Sequence, residues 1–210
     1  MIIHAVDQNS PEWMNLRAGI PTSSNAKLLC TSAGKPSASA DGYAISLACE
    51  KFAGRAMNEL DGAFGGNSHT ERGHELEQDA YLYYEMLLSV DTHAVGFVTT
   101  DDGLCGSSPD RLVGDKGMAE VKCLKYDNHV KEMLYFQKHG KISSAYVPQV
   151  QDQMLVCERD WCDSIFYHPT LPPFIIRNEP IAAVRACLIV QKEYVCAERD
   201  RVYSAILKQA

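Results

Sequence analysis

Hydrophobic residues recur at helical spacing toward both ends of this chain, and a stretch of short alternating runs lies between them, so the pattern predicts helices, a strand meander, then helices. The first start signal is Ser10-Pro11-Glu12, which offers an N-cap, a proline at the first helical position and an acid in the first turn. A short helix carrying Trp13, Leu16 and Arg17 follows and stops at Gly19. Thr22-Ser23-Ser24 predicts the cap of a second helix through about Cys30, and the Ser, Gly, Ala and Pro content of residues 31–42 predicts a mobile loop bordering a substrate path. Residues 43–58 are helical by the spacing of Ile45, Leu47, Ala48 and Phe52, and residues 62–68 break that pattern. In the helix predicted over 69–89, Leu76, Ala80, Tyr83 and Leu87 mark the buried stripe, with Glu77 on the flank shared by Gly73 and Ala80. Residues 95–99 and 104–106 read as strands, 126–139 and 144–158 as helices, 164–168 and 174–177 as strands, and 181–207 as a long closing helix. That order gives an α/β fold class.

The chemistry concentrates between Ser107 and Cys123, where Ser107-Ser108-Pro109-Asp110 is followed after nine residues by Glu120-Val121-Lys122. On a strand over 118–124, Glu120 and Lys122 share one face while Ala119, Val121 and Cys123 point into apolar packing. Gly114-Asp115-Lys116-Gly117 supplies a turn, and antiparallel pairing of 109–113 across it brings Asp110 beside Glu120. Two facing carboxylates repel unless a proton or cation lies between them, and a divalent metal is the economical answer. Oxygen donors suit Mg²⁺ or Mn²⁺, and Lys122 is placed to orient or deprotonate an attacking water. A Glu-x-Lys triplet is also an ordinary charge pair on a half-exposed strand, so the motif alone does not decide.

Composition narrows the classes. At 210 residues and 46% hydrophobic content, the chain reads as a single domain over 1–210 with a sizeable core. It lacks a run of about 18 apolar residues and a charged leader followed by an apolar run, so no membrane contact and a cytoplasmic location are expected. The eight cysteines are scattered without a Cys-x-x-Cys pair, as expected of small buried thiols in a reducing compartment rather than of zinc ligands or a disulfide framework. The net charge of −7 argues against tight non-specific nucleic-acid binding, although Lys116, Lys122, Lys125, Lys131, Lys138 and Lys141 run through and past the acid pair. A protein that encircles DNA needs less charge to hold it.

Three further groups bear on the site. Glu77 could add a metal carboxylate from a helix packed on the sheet, or be one more surface acid beside Glu71, Glu75 and Asp79. Gln151 lies among Val147, Met154 and Leu155, where an unpaired amide is costly; it either holds a water or phosphate or is a core glutamine satisfied by backbone. Arg17, Thr22 and Ser24 put a forked cation and hydroxyls beside a helix start, with Ser108 near enough to join them on a phosphate, or else form an ordinary cap and surface pair.

Taken in order, Trp13-x-x-x-Arg17-x-Gly19-x-x-Thr22-x-Ser24, Gly73-x-x-x-Glu77-x-x-Ala80, Ser108-Pro109-Asp110…Glu120-Val121-Lys122-Cys123 and Gln149-Val150-Gln151 resemble the lambda exonuclease (YqaJ-type viral recombinase) family of PD-(D/E)xK nucleases, from about Pro11 to Trp161. The resemblance implies a restriction-endonuclease-like core, a central mixed sheet flanked by helices. It implies a processive 5′→3′ exonuclease that digests one strand of linear double-stranded DNA with Mg²⁺, Mn²⁺ substituting, as a homotrimeric ring. Carried over by position, Asp110, Glu120 and the Val121 carbonyl would bind metal with Glu77 assisting. Lys122 and Gln151 would act on the water, and Arg17, Ser24 and Ser108, with Thr22, would hold the 5′-phosphate. A single-strand annealing protein is the implied partner in phage-type recombination, in a bacterial host. Pro21 replaces the family's usual aliphatic residue and Arg72 its usual aromatic. Other PD-(D/E)xK enzymes, an endonuclease or a Cas4-like nuclease, and a non-catalytic DNA-binding module are the competing readings.

Overall fold

The computed structural model describes residues 1–56 and 68–209, without the side chains of 68–75. Two sheets form among these residues. The smaller joins β1 (Ile2–His4), β3 (Phe97–Thr99) and β4 (Gly106–Ser107) in the order β1-β3-β4, all antiparallel. The larger has the order β2-β5-β6-β7-β8, built from β2 (Thr92–Ala94), β5 (Arg111–Val113), β6 (Gly117–Lys122), β7 (Trp161–Phe166) and β8 (Phe174–Asn178). The β6–β7 pairing is parallel and the rest antiparallel, so this is the mixed α/β sheet that the sequence predicts. The parallel pair needs a long crossover, which α4 (Tyr126–His139) and α5 (Val147–Val156) provide.

Alternation along β6 divides the core. Met118 joins Leu112, Cys162, Phe166 and Ile176 in a cluster with α2 (Ala40–Ala53), α5 and the closing helix α6 (Ala182–Leu207). Ala119 and Val121 face the other way, onto Ala80, Tyr81 and Tyr84 of α3 (Ser68–Leu88). Covering both faces makes β6 buried almost throughout, and Glu120 and Lys122 therefore project into the side covered by α5. Gly117 permits this packing, because a Cβ there would sit 2.1 Å from the Trp161 ring.

Several sequence expectations change. The α3 stripe is Ala80, Tyr81 and Tyr84, whereas Leu87 is exposed, because the sheet meets the helix one residue around from the predicted line. On α2, Leu47 and Ala48 are buried but Ile45 and Phe52 are exposed. The segment after Thr22 is a 3₁₀ helix, Ser23–Leu28. Residues 31–39 are tied by the Thr31 amide to the Lys35 carbonyl at 2.8 Å and the Ser37 amide to the Leu29 carbonyl at 2.9 Å, rather than forming a free loop. β1 and β2 were not predicted; three-residue strands are too short to display alternation. Most of the break predicted over 62–68 lies outside the described residues. The lysine run is not one uncommitted basic surface, since Lys122 is half-buried and paired with Glu120, and Lys116 and Lys131 pair with Asp160 and Asp127.

Candidate active site

The turn containing Gly114, at φ 53°, closes β5 onto β6 with Arg111 opposite Ala119, so the next step of the register sets Asp110 opposite Glu120. Asp110 Oδ2 accepts the Val121 amide at 2.8 Å. The N–H and C=O of one residue in a strand point the same way, so the Val121 carbonyl faces the edge on which Asp110 lies. Glu120 is 3% exposed and held from three sides. Lys122 Nζ donates to its Oε1 at 2.6 Å, Gln149 Nε2 to the same oxygen at 2.6 Å, and Gln153 Nε2 to Oε2 at 2.7 Å. Lys122 also donates to Gln149 Oε1 at 3.3 Å and lies 5.5 Å from the Tyr146 ring centroid.

Desolvation, then the neighbouring charges of Glu120 and Glu77, push the Asp110 carboxyl well above the usual range, against the pull of Lys122 and the Val121 amide. Burial works against the Lys122 ammonium, but Glu120 and Asp110 outweigh it and raise its pKa. The buried Tyr81 hydroxyl makes no hydrogen bond of normal geometry, and burial followed by Asp110, Glu120 and Glu77 pushes its ionisation far up. This is a site with surplus negative charge and an orphaned polar atom, and oxygen donors from Asp110, Glu120 and the Val121 carbonyl fit a hard divalent cation. Among the described residues no three Asp, Glu, His or Cys side chains already form a metal cluster. Two carboxylates and a carbonyl are oxygen donors of the kind that suit Mg²⁺ or Mn²⁺, ions that keep several water ligands. Glu77 reaches the site from α3 and lines, with Tyr81, Asp110 and Arg111, a cleft of about 630 Å³.

Gln151 does not join this site. It is 2% exposed, donates to the Glu179 carbonyl at 2.9 Å and accepts the Ile181 amide at 2.6 Å. It is the core glutamine satisfied by backbone, and it fastens α5 to the start of α6. At about 100° per residue, positions 149 and 153 share a helix face and 151 points away from it. Gln149 and Gln153 are the residues that sequence reasoning missed, and their i,i+4 spacing was the available signal.

The other predicted group does assemble. Ser10 caps α1 (Pro11–Arg17) by accepting the Trp13 amide at 3.1 Å, and one turn on, Arg17 lays its guanidinium 4.0 Å from the Trp13 ring centroid. Arg17 donates to Ser108 Oγ at 3.1 Å and to Ser24 Oγ at 3.2 Å, while Trp13 Nε1 donates to Ser108 at 2.8 Å. Thr22 Oγ1 lies 3.2 Å from Ser24 Oγ. Desolvation lowers the Arg17 pKa against the influence of Tyr43 and Glu50, and hydroxyls rather than a carboxylate meet its donors among the described residues. A pocket of about 340 Å³ opens on Trp13, Arg17, Thr22 and Ser24. Glu50 also lines the pocket, and the desolvated fork of donors ringed by hydroxyls has the chemistry to take up an anion. The Pro21 carbonyl accepts the Gly106 amide at 2.9 Å, so this departure from the family pattern sits in the strap tying the pocket to β4. The side chain of Arg72 lies outside the described residues.

A model of the YqaJ-like viral recombinase domain matches residues 12–160. The chain belongs to this family. Its fold is that of an alkaline exonuclease (LHK-Exo) from Laribacter hongkongensis, at TM-score 0.80 and 28% identity over 95% of this chain and 97% of that one. The same exonuclease in complex with dAMP matches at TM-score 0.79 with 28% identity and the same coverage. A phage-related exonuclease from Haemophilus somnus 129PT shares the fold at TM-score 0.62 and 15% identity, over 93% of this chain and 98% of that one. No curated protein matches the sequence. The YqaJ-like fold is thus the PD-(D/E)xK arrangement expected from Asp110, Glu120 and Lys122, with its mixed sheet flanked by helices. Its eight cysteines are free thiols, and no helix of the described residues is long and apolar enough to cross a membrane.

Proposed function

We propose that this YqaJ-like protein is a Mg²⁺-dependent exonuclease that digests one strand of linear double-stranded DNA in the 5′→3′ direction. The observation that carries the reading is that Ser108 closes the Arg17 and Ser24 pocket while Asp110, two residues on, enters the carboxylate site. A terminal phosphate and the next phosphodiester are then gripped by adjacent parts of one chain segment. Family membership and the exonuclease title of the Laribacter hongkongensis protein support the reaction class, and the dAMP complex of that protein supports a nucleoside monophosphate as product.

Asp110, Glu120 and the Val121 carbonyl would hold the cation, Glu77 assisting from α3, and Mn²⁺ would substitute. When bound, the ion supplies charge neutralisation at the phosphate and a more acidic attacking water. Lys122, kept as an ammonium by Glu120, puts positive charge where negative charge develops and orients the water instead of removing its proton. Gln149 and Gln153 fix the Glu120 carboxylate. Arg17, Ser24, Ser108 and Thr22 hold the 5′-phosphate, so cleavage starts at that end. The proposal extends to processive action by a homotrimeric ring and to partnership with a single-strand annealing protein in phage-type recombination within a bacterial cytoplasm. Linear duplex with a 5′-phosphate, the same duplex without it, and a closed circle, each with Mg²⁺ and with chelator, provide the test. Rapid digestion of the first alone, only with metal, is expected; cutting of the circle would point to an endonuclease instead.

A further inference from the structure

Helix α5 carries a group that the reaction above does not use. Asp152 is 0% exposed, and its Oδ1 pairs with the Lys192 ammonium of α6 at 2.5 Å, itself buried. Its Oδ2 accepts Ser23 Oγ at 2.8 Å. Ser23 is 1% exposed and stands between Thr22 and Ser24, the two pocket hydroxyls. Asp152 is also the neighbour of Gln153 and three residues from Gln149, both of which grip Glu120. One rigid helix turn therefore holds the carboxylate site on one side and the phosphate pocket on another.

A buried ion pair costs desolvation that apolar residues of equal volume would not, so net stability is a weak reason for it. What it does provide is a fixed acceptor: Lys192 occupies one oxygen of Asp152 and leaves the other aimed at Ser23. We infer that Ser23, Asp152 and Lys192 are positioning residues that set the register between the phosphate pocket and the cutting site, and with it selectivity for a 5′-phosphorylated end. The inference rests on the functional reading above. Neither Asp152 nor Lys192 need touch substrate; a shift of the Ser23 turn would move Thr22 and Ser24 against Arg17 while Glu120 and Lys122 stay in place.

The test compares steady-state kinetics on linear duplex with a 5′-phosphate and with a 5′-hydroxyl. Ser23→Ala keeps the ion pair and removes its link to the pocket; it should raise KM for the phosphorylated end by about tenfold. Turnover number and digestion of hydroxyl ends should hold at wild-type level. Because either single charge deletion leaves a buried partner unpaired, the second variant is the double apolar change Asp152→Leu with Lys192→Met, which removes the acceptor for Ser23 and the ion pair together. It should lose the preference to the same extent, and adding Ser23→Ala to it should cost nothing more. Equal losses on both ends, or an intact preference in Ser23→Ala, would overturn the inference alone. A wild-type enzyme with no 5′-phosphate preference, or no nuclease activity, would instead overturn the functional reading together with it.

Discussion

Replacing Asp110 with asparagine should make the metal-free protein more stable while abolishing its catalysis. Asp110 stands opposite Glu120 in the continued β5–β6 register, where facing Cβ atoms are about 5 Å apart. Two charges at about that spacing repel by roughly 3 kcal/mol at an effective dielectric constant of about 20. Lys122, 2.6 Å from Glu120, offsets part of this, and a net gain of about 1–2 kcal/mol is expected for the variant. Asparagine keeps an oxygen for the Val121 amide, which Asp110 now binds at 2.8 Å, so the hairpin loses no hydrogen bond. The sign with pH follows from the raised carboxyl: its contribution is present at low pH and lost as pH rises through the folded-state value. The advantage of Asp110→Asn should therefore be small in acid and grow toward neutral pH. At about 2–4 °C per kcal/mol for a chain of this size, the Tm in chelator near neutral pH should rise by about 2–8 °C. Adding Mg²⁺ should raise the wild-type Tm and leave the variant nearly unmoved. Thermal unfolding over a pH series, with chelator and with Mg²⁺, reads all three effects. A variant less stable than wild type in chelator at neutral pH, or one whose advantage grows toward acid, would refute the reasoning.

Gln149→Ala should lower turnover by about 100-fold with little change in the denaturation midpoint, since it frees Glu120 and Lys122 at the reacting centre. Gln151→Ala should do the reverse, costing about 2–3 kcal/mol in chemical denaturation while turnover is retained, because the Glu179 carbonyl and Ile181 amide lose their partner. Arg17→Ala should erase the preference for 5′-phosphorylated duplex, a loss of about 10- to 100-fold in KM on that end; unchanged discrimination would remove the pocket's assigned role. The Mg²⁺ concentration for half-maximal activity should fall as pH rises, because protons compete with the cation for a carboxyl whose pKa is raised; a flat titration would place the cation away from Asp110.

Sequence alone carried the local rules. Period-two alternation assigned Glu120 and Lys122 to one strand face, the Gly114 turn fixed which residue would oppose Glu120, and Ser10-Pro11 fixed where α1 begins and hence that Trp13 and Arg17 lie one turn apart. Each of these depends on neighbours a few residues away, and the order of motifs was enough to name the family.

Which side of α5 meets β6 was not a local matter. Gln149, Gln151 and Gln153 have the same chemistry and similar surroundings along the chain, and only the packing of the parallel β6–β7 crossover turns two of them to Glu120 and the third to Ile181. The same holds for Ser23, Asp152 and Lys192, which span 169 residues of sequence through two contacts. Periodicity constrains an element's apolar face to within about a residue, but the polar partners buried beneath it are chosen by whatever the rest of the chain brings opposite. In this protein the tertiary structure decided that choice, and with it how the two halves of the site are joined.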